Sequence, residues 1–140
     1  MSTEQNKLTM HRVFEDVLSE GNLEIIPELI ATEYRYQSPL GLEAGGPDGF
    51  KEMVVAFRSA FPDLRCIIDN ILAEGDYVAL NYTMNGTFRG EFAGIQPTGK
   101  QFSLPGSIFV RLINGKEAEA TGFYDTLTFY TQLGVPVSGG

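Results

Sequence analysis

The residue types best suited to chemistry gather near the C-terminal end, where Asp125 sits in the run FYDTLTFY, residues 123–130. A carboxyl group held among aromatic rings loses hydration and its pKa rises, which would make Asp125 a general base. The same position suits an N-cap for a short helix beginning at Thr126, and the residues alone leave both readings open. In EYRYQS, residues 33–38, aromatic and polar residues alternate, so Tyr34 and Tyr36 fall on one face of a short strand. Two neighbouring phenols there are either packing or hydrogen-bond donors to a ligand oxygen. The single cysteine, Cys66, lies in LRCIIDNIL and reads as a small buried hydrophobe, while the single histidine, His11, stands at the edge of a helical apolar stripe. With one of each, a zinc site would have to be built mainly from carboxylates, so no metal is expected. No P-loop or dinucleotide fingerprint marks a cofactor site either.

These residues must be positioned by elements that the periodicity makes visible. Leu8, Val13, Phe14, Val17 and Leu18 recur at helical spacing between Thr3 and Glu20, and Gly21 follows as a C-terminal glycine. A short second helix over Leu23–Ile30 has Asn22 available as a cap, and Pro27 marks an alternative start. The glycine- and proline-rich stretch PLGLEAGGP, residues 39–47, reads as a loop long enough to form a rim or lid. A third helix opens with Pro47 in its first turn, carries Phe50, Met53, Val54, Phe57 and Phe61 on one stripe, and stops at Pro62.

From Leu64 the period changes to two. Leu64–Ala73 and Asp76–Thr87 form two strands joined through Glu74-Gly75-Asp76, with Val78, Leu80, Tyr82, Met84 and Phe88 on one face of the second. GTFRGEFAGIQPTGK, residues 86–100, reads as a loop. Two further β runs then meet at Asn114-Gly115, a pair suited to the positive φ angles of a two-residue type I′ turn. The predicted architecture is α+β, a strongly curved, mostly antiparallel sheet with three N-terminal helices packed in its concave face around an apolar cone.

At 140 residues the chain reads as a single domain, residues 1–140, with room for a core and a cavity. A net charge of −8, with only ten Lys and Arg, argues against nucleic acid and against an anionic membrane surface. No leader pattern opens the chain and no run approaches about 18 apolar residues, so a soluble cytoplasmic protein is expected.

The blocks GFKEMVVAFRSAFPDL (Gly49–Leu64), AEGDYVAL (Ala73–Leu80), GTFRGEFAGIQPTGK, INGK (Ile113–Lys116) and FYDTLTFYTQLG (Phe123–Gly134), in that order, resemble the SnoaL-like polyketide cyclase family. That family belongs to the cystatin-like, nuclear transport factor 2-like superfamily of cone-shaped domains. The resemblance implies a small, cofactor-independent, usually oligomeric protein, and in its best-understood members an aspartate ending the last long strand acts as acid and base; Asp125 stands at the matching place. Two positions depart from the family pattern, Phe88 and Ile108 standing where histidines are usual. The implied chemistry is aldol ring closure on an apolar carbonyl compound, with isomerase and lyase chemistry served by the same apparatus. Tyr34, Tyr36 and Tyr82 would donate to the developing enolate, and Phe14, Phe57, Met84, Phe88, Ile108 and Phe109 would form apolar walls. A noncatalytic binding protein and an oligomerisation domain are the alternatives. A homodimer, or a tetramer, is expected through the outer face of the 76–87 strand and the Leu104–Phe109 segment.

Overall fold

Helical periodicity gives way to strand periodicity where the sequence predicts it, and the computed structural model, which describes residues 2–38 and 43–136, shows how the two halves meet. Helix α1, Thr3–Arg12, is capped by Ser2, whose hydroxyl accepts from the Gln5 amide at 3.1 Å. Its continuation, Val13–Ser19, widens into a π-helical segment in which the Glu20 amide reaches back to the Glu15 carbonyl. Such widening is rare and often accompanies a site, because it pushes side chains out of the ordinary helical register. The orphaned carbonyls at its end are satisfied by Arg58, whose Nη1 donates to the Leu18 and Ser19 carbonyls at 2.9 Å. Gly21 follows at φ +76°, as its position after the helix requires.

The second helix is shorter than predicted. A 3₁₀ turn, Leu23–Ile25, precedes α2, Ile26–Leu29, and Pro27 lies in the first turn of α2; the Asn22 side chain makes no cap hydrogen bond. Strand β1, Ile30–Gln37, is followed by β2, Glu43–Gly45, and α3, Gly46–Ala60. The rim or lid expected over residues 39–47 falls in part on residues 39–42, outside the described residues; its remainder forms β2 and the start of α3.

Strands β3 (Arg65–Glu74), β4 (Tyr77–Thr87), β5 (Gln101–Ile113) and β6 (Lys116–Tyr124) complete a six-stranded sheet in the order β2-β1-β6-β5-β4-β3. All neighbours are antiparallel except β1 and β6. Asn114 and Gly115, at φ +52° and +76°, make the two-residue turn between β5 and β6. Register stacks one inward row across three strands: Val78 pairs with Val110 and Val110 with Ala120, Leu80 with Ile108 and Ile108 with Gly122, Tyr82 with Gly106 and Gly106 with Tyr124. Helices α1 and α3 cover this face. Helix α4, Thr126–Leu133, closes one end of the fold and stops at Gly134, φ +75°.

At that end, Phe61 is the hub of an aromatic cluster, 4.8 Å from Phe102, 5.7 Å from Phe88 and 5.9 Å from Phe129 by ring centroid. Phe88 stands one residue past β4, its backbone paired with Lys100 and Gly99. The outer face of the sheet is apolar in part: Phe109 and Phe123 are 52% and 53% exposed, and Tyr77 stacks on Phe109 at 5.3 Å. Phe109 therefore belongs to the outer face and not to an inner wall. Its odd-numbered position on β5 sends it opposite to Ile108 and Val110. Among the described residues, no helix is long and apolar enough to cross a membrane.

Candidate functional site

Between the helices and the inner face of the sheet lies a cavity of about 100 Å³. The π-helical segment contributes Val13, Phe14 and Leu18, whereas α3 contributes Phe50, Met53, Val54 and Phe57. From the sheet come Tyr34 and Tyr36 on β1, Cys66 on β3, Tyr82 and Met84 on β4, Ile108 on β5, and Glu117 and Tyr124 on β6. The structure thus brings together seven of the residues read from the sequence as a binding surface: Phe14, Tyr34, Tyr36, Phe57, Tyr82, Met84 and Ile108. Of the other two, Phe109 is on the outer face and Phe88 is fully buried outside the cavity lining. Its ring packs on Phe61, because leaving β4 carries it beneath the end of α3.

The cavity is dominated by phenols, and small residues make room for them. A methyl group added at Gly122 would lie 2.8 Å from the Tyr36 hydroxyl, and one at Gly106 would collide with the Tyr82 ring and hydroxyl. These two glycines, on β6 and β5, let tyrosines from neighbouring strands lie flat over the sheet. Phe14 tilts against Tyr82 at 5.3 Å, and Phe50 meets Tyr34 edge-on at 5.6 Å. Burial, first of all, pushes the Tyr36 hydroxyl up to about 12 and raises those of Tyr34, Tyr82 and Tyr124 as well. All four phenols are therefore neutral donors throughout the physiological range. Cys66, pushed up to about 12 by burial, is a neutral thiol and no nucleophile.

Among the described residues Glu117 is the one carboxylic acid in the lining, and the sequence reading passes over it. It is 2% exposed, and burial alone pushes its pKa up to about 8, with neither a cation nor a hydrogen bond acting against that rise. Its charge is felt at Tyr34 and Tyr36, where it adds to the effect of burial. A break in the alternation of β6 aims it inward. Arg111 pairs with Glu119, yet the next residue, Leu112, pairs with Glu117, so that Ala118 is the extra residue of a β-bulge. Glu119 consequently points outward, where it accepts two hydrogen bonds from Arg111 at 3.1 and 2.8 Å and is held below its ordinary value. Two residues earlier, Glu117 points inward without any such partner.

Asp125 has the geometry of a helix cap, one of the two readings its position allows. Its Oδ1 accepts from the Thr128 amide at 3.0 Å and its Oδ2 from the Thr128 hydroxyl at 2.7 Å, the geometry of an N-cap on α4. Those hydrogen bonds lower its pKa, the reverse of the rise expected from its aromatic neighbours, and it is not among the cavity-lining residues. The rings beside it face elsewhere: Phe123 is on the outer face, while Tyr124 and Phe129 turn inward and meet edge-on at 6.0 Å. His11 sits on the surface of α1, 3.5 Å from Glu15.

A neutral acid among neutral phenols in a largely apolar, aromatic cavity can donate hydrogen bonds to a carbonyl oxygen. Its ionised form can remove a proton from the adjacent carbon. Comparison with known proteins bears on the family and the fold. Residues 8–133 match the SnoaL-like polyketide cyclase family. Aklanonic acid methyl ester cyclase DnrD of Streptomyces peucetius is 27% identical over 125 residues, covering 86% of each chain. The corresponding cyclase DauD of Streptomyces sp. strain C5 is also 27% identical, over 86% of this chain and 77% of its own. Among solved structures, a SnoaL-like protein from Jannaschia sp. CCS1 superposes with a TM-score of 0.87 at 23% identity, over 96% of this chain and 95% of its own, and supports the fold.

Proposed function

The chain belongs to the SnoaL-like polyketide cyclase family, and from that premise we propose that it is a cofactor-independent proton-transfer enzyme acting on a small apolar carbonyl compound, with Glu117 as its acid and base. The observation that supports this reading is a single buried carboxyl group, without a counter-charge, set among phenols inside the cavity.

In the forward step the Glu117 carboxylate takes a proton from the carbon alpha to a carbonyl, and the electron pair moves onto the carbonyl oxygen. The hydroxyls of Tyr34 and Tyr36 donate to that oxygen as its negative charge grows. The enolate carbon then attacks a second carbonyl of the same molecule, forming the ring bond. The new alkoxide recovers the proton from Glu117, so no group is consumed. Double-bond isomerisation next to a carbonyl shares the first step, after which Glu117 returns the proton to the far carbon of the dienolate and the carbonyl is restored. A pKa of about 8 leaves roughly one carboxyl in ten ionised at pH 7, and the rate should rise with pH until the carboxyl is fully ionised. Asp125 acts in this scheme as the cap that fixes the junction between β6 and α4, and with it Tyr124.

The cavity sets the scale of what reacts. At about 100 Å³ it is smaller than the ~150 Å³ apolar cavity that accepts a benzene ring, so the part of the substrate enclosed there is at most about one ring in size. A substrate-independent test follows deuterium incorporation alpha to the carbonyl of cyclohexanone in D₂O by NMR. Wild-type protein should accelerate it, Glu117→Gln should cost on the order of 10²-fold, and Asp125→Asn should change it less than about twofold. Loss of activity in Asp125→Asn with Glu117→Gln unaffected would move the chemistry to Asp125. No acceleration by wild type would leave a noncatalytic binding protein, the alternative that Phe88 and Ile108 at the usual histidine positions favour.

A further inference from the structure

The lone acid of this cavity also bears on what the cavity can bind. Among the described residues its lining holds one acid and no Lys, Arg or His, and no cation acts on Glu117, although the Arg58 guanidinium on α3 is felt at Cys66. Its titratable neighbours are Tyr34 and Tyr36 from β1, Cys66 from β3, Tyr82 from β4 and Tyr124 from β6, all of which stay neutral around pH 7. The π-helical segment and α3 present only apolar side chains, among them the rings of Phe14 and Phe57. A buried carboxylate normally has a partner, because an isolated one is costly to keep out of water.

We propose that this cavity binds a small methylated ammonium ion, with Glu117 as the counter-charge and the surrounding aromatic rings as the cage. Four features of the site point to that class. Aromatic faces attract cations through their quadrupoles, and the attraction strengthens when the site excludes water. The acid lies at the wall of this aromatic box and not on the surface, so a cation seated among the rings is also within the field of the carboxylate. A methylated ammonium presents an apolar skin to the largely apolar lining, whereas a primary ammonium would demand several well-placed acceptors. Finally, a trimethylammonium head is compact enough for a cavity of about 100 Å³. Binding would ionise Glu117 and release a proton wherever the free carboxyl is protonated. The proposal rests on the cavity being the ligand site and is independent of whether Glu117 catalyses proton transfer.

The test compares choline with 3,3-dimethyl-1-butanol, its uncharged isostere, by titration calorimetry on the full chain. Choline should bind about tenfold or more tightly than the alcohol, since the two differ only in the charge that the cage and the carboxylate recognise. Its affinity should rise from pH 6 towards pH 9, and at pH 6.5 repeating the titration in buffers of different ionisation enthalpy should show close to one proton released per choline bound. In Glu117→Gln, with its fold checked by circular dichroism, the preference and the proton release should both disappear. Equal affinity for the alcohol, no choline binding, or binding without proton release would each overturn the proposal. Because it reads binding and not turnover, a failure here leaves the deuterium-exchange result to stand or fall separately. The wild-type comparison alone decides the matter if the variant does not fold.

Discussion

Replacing Glu117 with glutamine keeps the shape of the side chain and removes its charge, and the consequence for stability follows from the direction of its pKa. The folded protein holds this proton up to about pH 8, whereas in the unfolded chain the group releases it near 4.5. Between those values the native state binds more protons than the unfolded state, so stability is full below about pH 4.5 and declines as pH rises towards 8. The whole window corresponds to on the order of 5 kcal/mol, reduced to a few by relaxation and water entry around the carboxylate. Other shifted groups leave this window clear. Asp63, Asp125 and Glu119 are held below their ordinary values by hydrogen bonds, so their contributions fade only in more acidic solution. Cys66 and the buried tyrosines are raised, so they act at more alkaline pH. Melting temperature followed by circular dichroism from pH 5 to 8.5 should therefore fall by roughly 5–10 °C in wild type, taking ~3 °C per kcal/mol for a chain of this size. It should fall much less in Glu117→Gln, which becomes the more stable protein at the alkaline end. Parallel curves for the two proteins would refute the assignment of a buried, uncompensated carboxyl group.

Four further outcomes follow from particular contacts. Asp125→Ala should lower the urea midpoint measurably while Asp125→Asn leaves it nearly unchanged, because asparagine retains the cap on α4. Gly122→Ala should displace the Tyr36 hydroxyl and weaken ligand binding in the cavity by about tenfold, while Gly99→Ala, where a Cβ meets open space but φ is +77°, should cost about 1 kcal/mol of stability and leave binding unchanged. Arg58→Met should cost about 2–4 kcal/mol, since it strips the carbonyls of Leu18 and Ser19 of their donor, and it should blunt ligand binding through Phe14 and Leu18 in the segment it anchors. Phe109→Glu together with Phe123→Glu should convert a dimer to monomer by light scattering at micromolar concentration, and a wild-type protein already monomeric there would end the reading of the outer face as an interface.

The elements of this fold are written locally in the chain. Pro47 and Pro62 bracket α3, the two positive-φ residues at Asn114-Gly115 close the β5–β6 hairpin, and alternation in β4 turns Val78, Leu80, Tyr82 and Met84 inward. Each of these depends on one residue's backbone preference or on a period of two, so a linear reading recovers them. Tyr34 and Tyr36 reached the cavity for the same reason. What the chain could not show locally is which way a side chain points once a strand slips by one. Counting back from Tyr124 by twos sends Glu117 outward with Glu119, whereas counting forward from the hairpin pairs it with Leu112 and sends it inward; the bulge at Ala118 is where the two phases meet. Asp125 shows the converse. Its neighbours in sequence are aromatic, but turning from strand into helix distributes those rings to different faces and leaves the carboxylate with Thr128. Phe88 passes from cavity wall to packed cluster because β4 ends one residue before it. Local sequence determined the elements and the supply of phenols; tertiary pairing decided which acid meets them, because a one-residue slip in strand register reverses the face that every preceding side chain presents.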